Sequence, residues 1–176
     1  MDLWRDVETG PKVPEVVNVI VEIPKGSQNK YKNKKKRGVI KLDRVLFSPF
    51  FYPGEYGIIP QTFAEDGDPM DALVLVTNPT YPGVLIEARP IGMLQMKDGG
   101  DMDDKILCVA KDDVRFNNLT DIAGLDKHYL KEIGHFFEVY KQLEGKKVEI
   151  LGWKNAASAK KAVIDGVKLY KKTFKK

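Results

Sequence analysis

Asp66, Asp68 and Asp71 fall within six residues, in the run Asp66-Gly67-Asp68-Pro69-Met70-Asp71, and an apolar run, Ala72 to Val76, begins at once. Three carboxylates held that close repel one another unless a proton or a cation intervenes. Carboxylate oxygens are the ligands that hard ions such as Mg²⁺ and Mn²⁺ accept, so the run suits a metal site. Taken alone, it suits a solvated acidic turn equally well. It is not an EF-hand loop: counted from Asp66, the sixth position is Asp71 instead of glycine and the twelfth is Thr77 instead of glutamate. A second acidic turn runs from Asp98 through Gly99, Gly100, Asp101, Met102, Asp103 and Asp104 to Lys105. Two acidic turns on one small fold can supply ligands for more than one divalent ion. Paired metals are a recurring arrangement for in-line displacement at phosphorus.

The anion side has its own candidates: Lys30, Tyr31, Arg44, Tyr52, Tyr56, Lys105, Tyr140 and Lys141 are cations and phenols able to bind phosphate oxygens. The run Lys34 to Arg37 reads as a solvated turn before Gly38. Tyr52, within Phe50-Phe51-Tyr52-Pro53, can equally pack under a sheet. Tyr140 lies on an apolar helix face and can be core, in which case its hydroxyl needs a partner. His128 and His135 lack metal-pair spacing and are given no catalytic role.

The elements that must position these groups are mostly strands. Val16 to Ile23 is rich in β-branched residues and closes on Pro24-Lys25-Gly26; Val39 to Val45 and the buried run Ala72 to Val76 follow. Further strands are expected at Val84 to Pro90, Ile91 to Met96, Lys105 to Ala110 and Lys147 to Leu151. Leu125 to Glu144 carries apolar residues at helical spacing with Gly145 as its stop. Asn155 to Lys172 opens on a capping residue and puts Ala159, Ala162, Val163 and Val167 on one face. Many short strands with two late helices predict a small closed barrel flanked by helices.

At 176 residues, one domain spanning 1–176 is expected. The net charge of +4 conceals segregation: basic residues crowd Lys30 to Arg37 and Lys168 to Lys176, acidic ones the two turns. The single cysteine, Cys108, excludes an intrachain disulfide framework and reads as a small buried hydrophobe. No apolar run approaches a membrane span, and the N-terminus lacks the basic-then-apolar pattern of a signal peptide, so no membrane association and a cytoplasmic location are expected.

In this order, the pieces resemble the family I soluble inorganic pyrophosphatases of prokaryotic type. The match runs from Val19-Ile20-Val21-Glu22-Ile23-Pro24 to Gly152-Trp153-Lys154-Asn155-Ala156. Its most specific part is Asp66 to Ala72, supported by Asp43-Arg44, Phe51 to Gly57, Asp98 to Lys105 and His135 to Lys141. The resemblance implies a mainly β, α+β fold: an OB-like five-stranded closed barrel with two α-helices in the C-terminal half. It implies hydrolysis of pyrophosphate to two orthophosphates by in-line attack of a metal-bridging hydroxide, with several Mg²⁺ ions per site and Mn²⁺, Co²⁺ or Zn²⁺ as substitutes. Carried over by position, Asp66, Asp71 and Asp103 bind activating metal, Asp71 shared between two ions, and Asp98 with Asp103 holds a metal that arrives with substrate. Asp68 is the general base. Lys30, Arg44, Lys105, Tyr140 and Lys141 grip phosphate, Tyr56 supports the site, and Glu22 and Tyr52 stand behind it. A homohexamer is also implied.

Two positions depart from the family pattern. Lys32 stands where a glutamate is usual, and Gly99 where bacterial members often carry a second acid; both remove negative charge around the outermost metal. Two other functions compete. A nucleic-acid-binding barrel would need stacking aromatics along a basic groove, and here acidic turns lie near it, so no nucleic-acid partner is expected. A phosphohydrolase of broader specificity would be favoured by phosphate-loop or nucleoside motifs, and the chain has none.

Overall fold

Turn residues and β-branched runs set a chain order of eight strands before the first long helix in this computed structural model, which describes residues 1–34 and 38–174. The strands are β1 (Val17–Ile23), β2 (Asn29–Lys34), β3 (Val39–Val45), β4 (Glu55–Ile58), β5 (Asp71–Leu75), β6 (Leu85–Asp98), β7 (Asp101–Met102) and β8 (Lys105–Ala110). Helix α1 (Lys127–Val139), strand β9 (Val148–Asn155) and helix α2 (Ala156–Phe174) complete the chain. The basic turn expected over Lys34 to Arg37 lies, beyond Lys34, outside the described residues, as does the end of the basic tail.

Five strands close on themselves. β1 pairs antiparallel with β4, β4 with β5, β5 parallel with β8, β8 antiparallel with β6, and β6 antiparallel with β1. This ring is the closed five-stranded unit the sequence implies, and with two helices it makes the fold mainly β. Every residue of β1 is buried, as a strand covered on both faces requires. Among the described residues, β2 and β3 pair only with each other.

The strands expected at Val84 to Pro90 and Ile91 to Met96 are one strand, β6. Pro90 cannot donate to a ladder, and the pairing with β8 shifts register between Pro90 and Gly92 instead of ending. The helix expected from Leu125 to Glu144 stops at Val139; a separate 3₁₀ turn covers Gln142–Glu144, closed by Gly145 in the left-handed conformation at φ 72°.

α1 buries Ile133, Phe136 and Phe137 against Leu94, Met96, Tyr52 and Tyr56. Tyr52 lies 4.9 Å from the Phe136 ring and 5.5 Å from that of Tyr56. α2 covers the other side of the ring, with Ala159 and Val163 on Val17, Val19, Ala72, Val74, Ile106 and Cys108. Cys108 is fully buried, and burial pushes its thiol pKa well up. Among the described residues no helix is long and apolar enough to cross a membrane.

The start of α2 is held from a distance. Asp121 accepts the Ala156 N–H at 2.8 Å and the Ala123 N–H at 2.9 Å, and these two bonds hold its carboxyl below the usual carboxylate range. Asp121→Ala is expected to cost about 1–2 kcal/mol, as loss of a helix cap does. Urea unfolding at neutral pH checks this; an unchanged midpoint would show that the cap contributes nothing.

Candidate active site

The acidic loop joins β4 to β5, and the ladder between them ends where it begins to matter chemically. Ile58 pairs with Asp71, and beyond it the Ile59 N–H donates to the Met70 carbonyl at 2.9 Å. Asp71 is therefore fixed as the first residue of a buried strand. The parallel register of β5 on β8 places Asp71 beside Lys105, two residues after Asp103. One pairing thus brings the two acidic turns together. Facing them, the hairpin β2–β3 sets Lys30 opposite Arg44, and the end of α1 supplies Tyr140 and Lys141.

Ten of the thirteen site residues implied by the resemblance line one cleft of about 280 Å³: Glu22, Lys30, Tyr56, Asp66, Asp68, Asp71, Asp98, Asp103, Tyr140 and Lys141. Lys32 lines it too, so the departure at that position sets a cation on the wall. The other three stand elsewhere. Lys105 is 2% exposed, and its ammonium donates to Asp71 Oδ2 at 2.6 Å and Asp103 Oδ1 at 2.5 Å. Tyr52 is buried behind Tyr56 and Tyr140. Arg44 is held by Glu144, its Nε and Nη2 donating to the two carboxylate oxygens at 2.8 Å each.

Charges of both signs line the cleft. Burial, with the carboxylates of Asp68, Asp103 and Asp71, pushes the Asp66 carboxyl above the usual range. Burial raises Glu22 to about 7, against the Asn33 N–H that it accepts at 2.6 Å. Burial and the nearby charges of Lys141 and Arg44 lower Lys30 to about 8. The Lys141 ammonium is paired with Asp98, and the Tyr56 hydroxyl donates to Asp71 Oδ2 at 2.5 Å. Burial holds the phenols of Tyr52, Tyr56 and Tyr140 well above the ordinary range, so all three remain protonated donors at neutral pH.

The donor set fits a hard divalent ion. It is all carboxylate, lining one cleft, and Asp71, Asp98 and Asp103 keep side-chain exposures of 24%, 22% and 20%. Mg²⁺ takes a few protein carboxylates and completes its shell with water and phosphate oxygens, which such partly open ligands allow. Among the described residues, no three carboxylate or imidazole groups already stand in an arrangement able to hold a metal ion. Asp71 and Asp103 are drawn onto the Lys105 ammonium instead. Glu144, which grips Arg44, is the site residue that sequence reasoning missed: the two are 100 positions apart, and no local pattern joins them.

The family model for inorganic pyrophosphatase matches residues 19–171. An inorganic pyrophosphatase of Picrophilus torridus is 46% identical over 172 residues, covering 98% of this chain and 97% of its own length. One from Halalkalibacterium halodurans is 52% identical over 158 residues, covering 90% of this chain and 97% of its own. Among solved structures, the inorganic pyrophosphatase of Thermus thermophilus shares 44% identity with a TM-score of 0.94, covering 97% of this chain and 99% of that one. The chain belongs to the inorganic pyrophosphatase family of hydrolases.

Proposed function

We propose that the cleft hydrolyses inorganic pyrophosphate to two orthophosphates with Mg²⁺, Mn²⁺, Co²⁺ or Zn²⁺ serving as the activating ion. The observation that carries this reading is convergence: residues from Glu22 to Lys141 in the chain meet on one cleft, carboxylates and cations together. Asp66, Asp71 and Asp103 would hold the activating ions, and Asp98 with Asp103 an ion that enters with substrate. Divalent ions bound there screen phosphate charge and acidify water. Asp68 accepts the proton of the water that attacks one phosphorus, opposite the departing phosphate. Lys30, Lys141 and Tyr140 bind phosphate oxygens, and positive charge near the leaving group offsets the negative charge it develops. Arg44 would join them by turning from Glu144, and Lys105 through the ligands it pairs. Tyr56 orients Asp71. Glu22 and Tyr52 support the wall behind.

The test is phosphate release from pyrophosphate, ATP and tripolyphosphate, each with and without Mg²⁺. Pyrophosphate is expected to be hydrolysed in preference to the others and only with a divalent ion. No hydrolysis with Mg²⁺, Mn²⁺, Co²⁺ or Zn²⁺ overturns the reading; equal rates on all three substrates favour a broader phosphohydrolase. Assembly as a homohexamer belongs to the same proposal. Exposed Val39, Leu42, Val45 and Phe47 on and after the hairpin support burial against another copy, which sedimentation velocity checks.

Lys30 supplies a pH dependence. Its folded-state pKa is depressed to about 8, so the charged form predominates below that value and is lost as the pH rises through it. Because kcat/KM reports the free enzyme, it is expected to fall above about pH 8 as the phosphate-binding cation disappears. Lys30→Met should be slower throughout and lack that decline. An unchanged alkaline limb in the variant would assign the titration to another group.

A further inference from the structure

We propose that Thr62 is a positioning residue for the acidic loop, acting through Met70 on Asp71; the inference rests on the reading of Asp66 and Asp71 as metal ligands. Thr62 is fully buried, with no charge and no place on the cleft wall. Its hydroxyl proton goes to the Ile59 carbonyl at 2.6 Å, which leaves the oxygen to accept the Met70 N–H at 3.0 Å. The Ile59 N–H donates to the Met70 carbonyl at 2.9 Å. Both backbone polar groups of Met70 are thus held, one by the last backbone rung between β4 and β5, the other by a side chain standing in for the next rung. The loop carrying Asp66 and Asp68 is closed at its neck, and Asp71 follows directly.

Two contacts fix the neck to the rest of the fold. The Trp4 indole N–H donates to the Thr62 carbonyl at 2.8 Å, and the Phe63 N–H donates to the Gly166 carbonyl within α2 at 3.1 Å. Glycine inside a helix costs about 1 kcal/mol relative to alanine, so its presence marks a close approach. A Cβ at Gly166 would lie 2.3 Å from Met70 Sδ, and the thioether would have to move. Met70 is therefore held from α2 as well as by Thr62, immediately before a ligand whose placement must be accurate.

Thr62→Val keeps the shape and deletes the hydroxyl, leaving the Met70 N–H without its partner; Thr62→Ser restores it. The readout is Mn²⁺ binding to the full chain, followed by the electron paramagnetic resonance of free Mn²⁺, beside thermal unfolding in chelator. Thr62→Val is expected to bind Mn²⁺ about tenfold more weakly, with Thr62→Ser within about threefold of the parent. Gly166→Ala, which displaces Met70 from the other side, should also weaken binding and serves if Thr62→Val does not fold. A lowered melting temperature with unchanged Mn²⁺ affinity in both Thr62→Val and Gly166→Ala overturns the inference, because a merely structural role predicts that result. Asp71→Asn run in parallel separates the two levels. Weakened Mn²⁺ binding there with none in Thr62→Val overturns the role of Thr62 alone; unchanged binding in both overturns the ligand reading as well.

Discussion

Asp68→Asn is expected to lower kcat for pyrophosphate by roughly 10²–10⁴-fold, the range of a lost general base, while Mg²⁺ half-saturation stays within about threefold of the parent. The loop explains why the two quantities should part. Asp66 accepts the backbone N–H of Asp68 at 3.0 Å, so the carboxylate of Asp66 shapes the turn and the peptide of Asp68 is held by it. An asparagine at position 68 keeps that N–H, the same size and the same place on the cleft wall. What it loses is the ability to take a proton. Steady-state rates over a Mg²⁺ titration check the prediction. Near-parental kcat at saturating Mg²⁺ would remove Asp68 from the base role. A parallel rise in the Mg²⁺ requirement would make it a ligand instead.

Which parts of this arrangement are legible in the sequence depends on whether a residue's environment is local. The acidic loop announces itself because its carboxylates are neighbours in the chain and a continuous apolar run follows. β1, β5 and β8 are legible for the same reason. β2 is not: its residues Asn29–Lys34 are polar on both faces, it pairs with β3, and the apolar alternation that marks a half-buried strand is missing. β4 hides because its four buried residues include Glu55 and Gly57; Glu55 is fully buried, accepting from Thr80 at 2.8 and 2.9 Å. Partnerships between residues that no local pattern joins carry no sequence mark, as with Arg44 on Glu144 across the fold and Thr62 on Met70 across one loop. Lys105 is the sharpest case. From its type it reads as a cation able to bind phosphate, and nothing local shows that β8 is buried along Lys105 to Val109 or that its ammonium is paired with Asp71 and Asp103.

That placement makes Lys105→Met the most informative change to the metal wall. Burial alone pulls the Lys105 ammonium down, but the carboxylates of Asp71 and Asp103 outweigh it and raise its pKa above the ordinary lysine value. A raised folded-state pKa in a cation means that the stabilisation is fully present at neutral pH and is lost only as the pH climbs through that value. Methionine nearly conserves the volume and removes the charge, so Asp71 and Asp103 are left facing each other without a counter-ion. Breaking such a pair is expected to cost about 3 kcal/mol, the lower end for buried pairs because both carboxylates keep some access to water. For a chain of this size, that corresponds to a melting temperature lower by roughly 10 °C in chelator. With divalent ion the sign reverses. The lysine competes for the two carboxylates, so removing it should tighten Mg²⁺ binding, and Mg²⁺ should raise the variant's melting temperature by more than the parent's. Turnover should still fall, since a fixed positive charge behind the ligands is gone. Calorimetric Mg²⁺ titration beside thermal unfolding decides the matter. Weaker Mg²⁺ binding in Lys105→Met would mean that the lysine holds Asp71 and Asp103 in shape for the ion, and does not stand in for it.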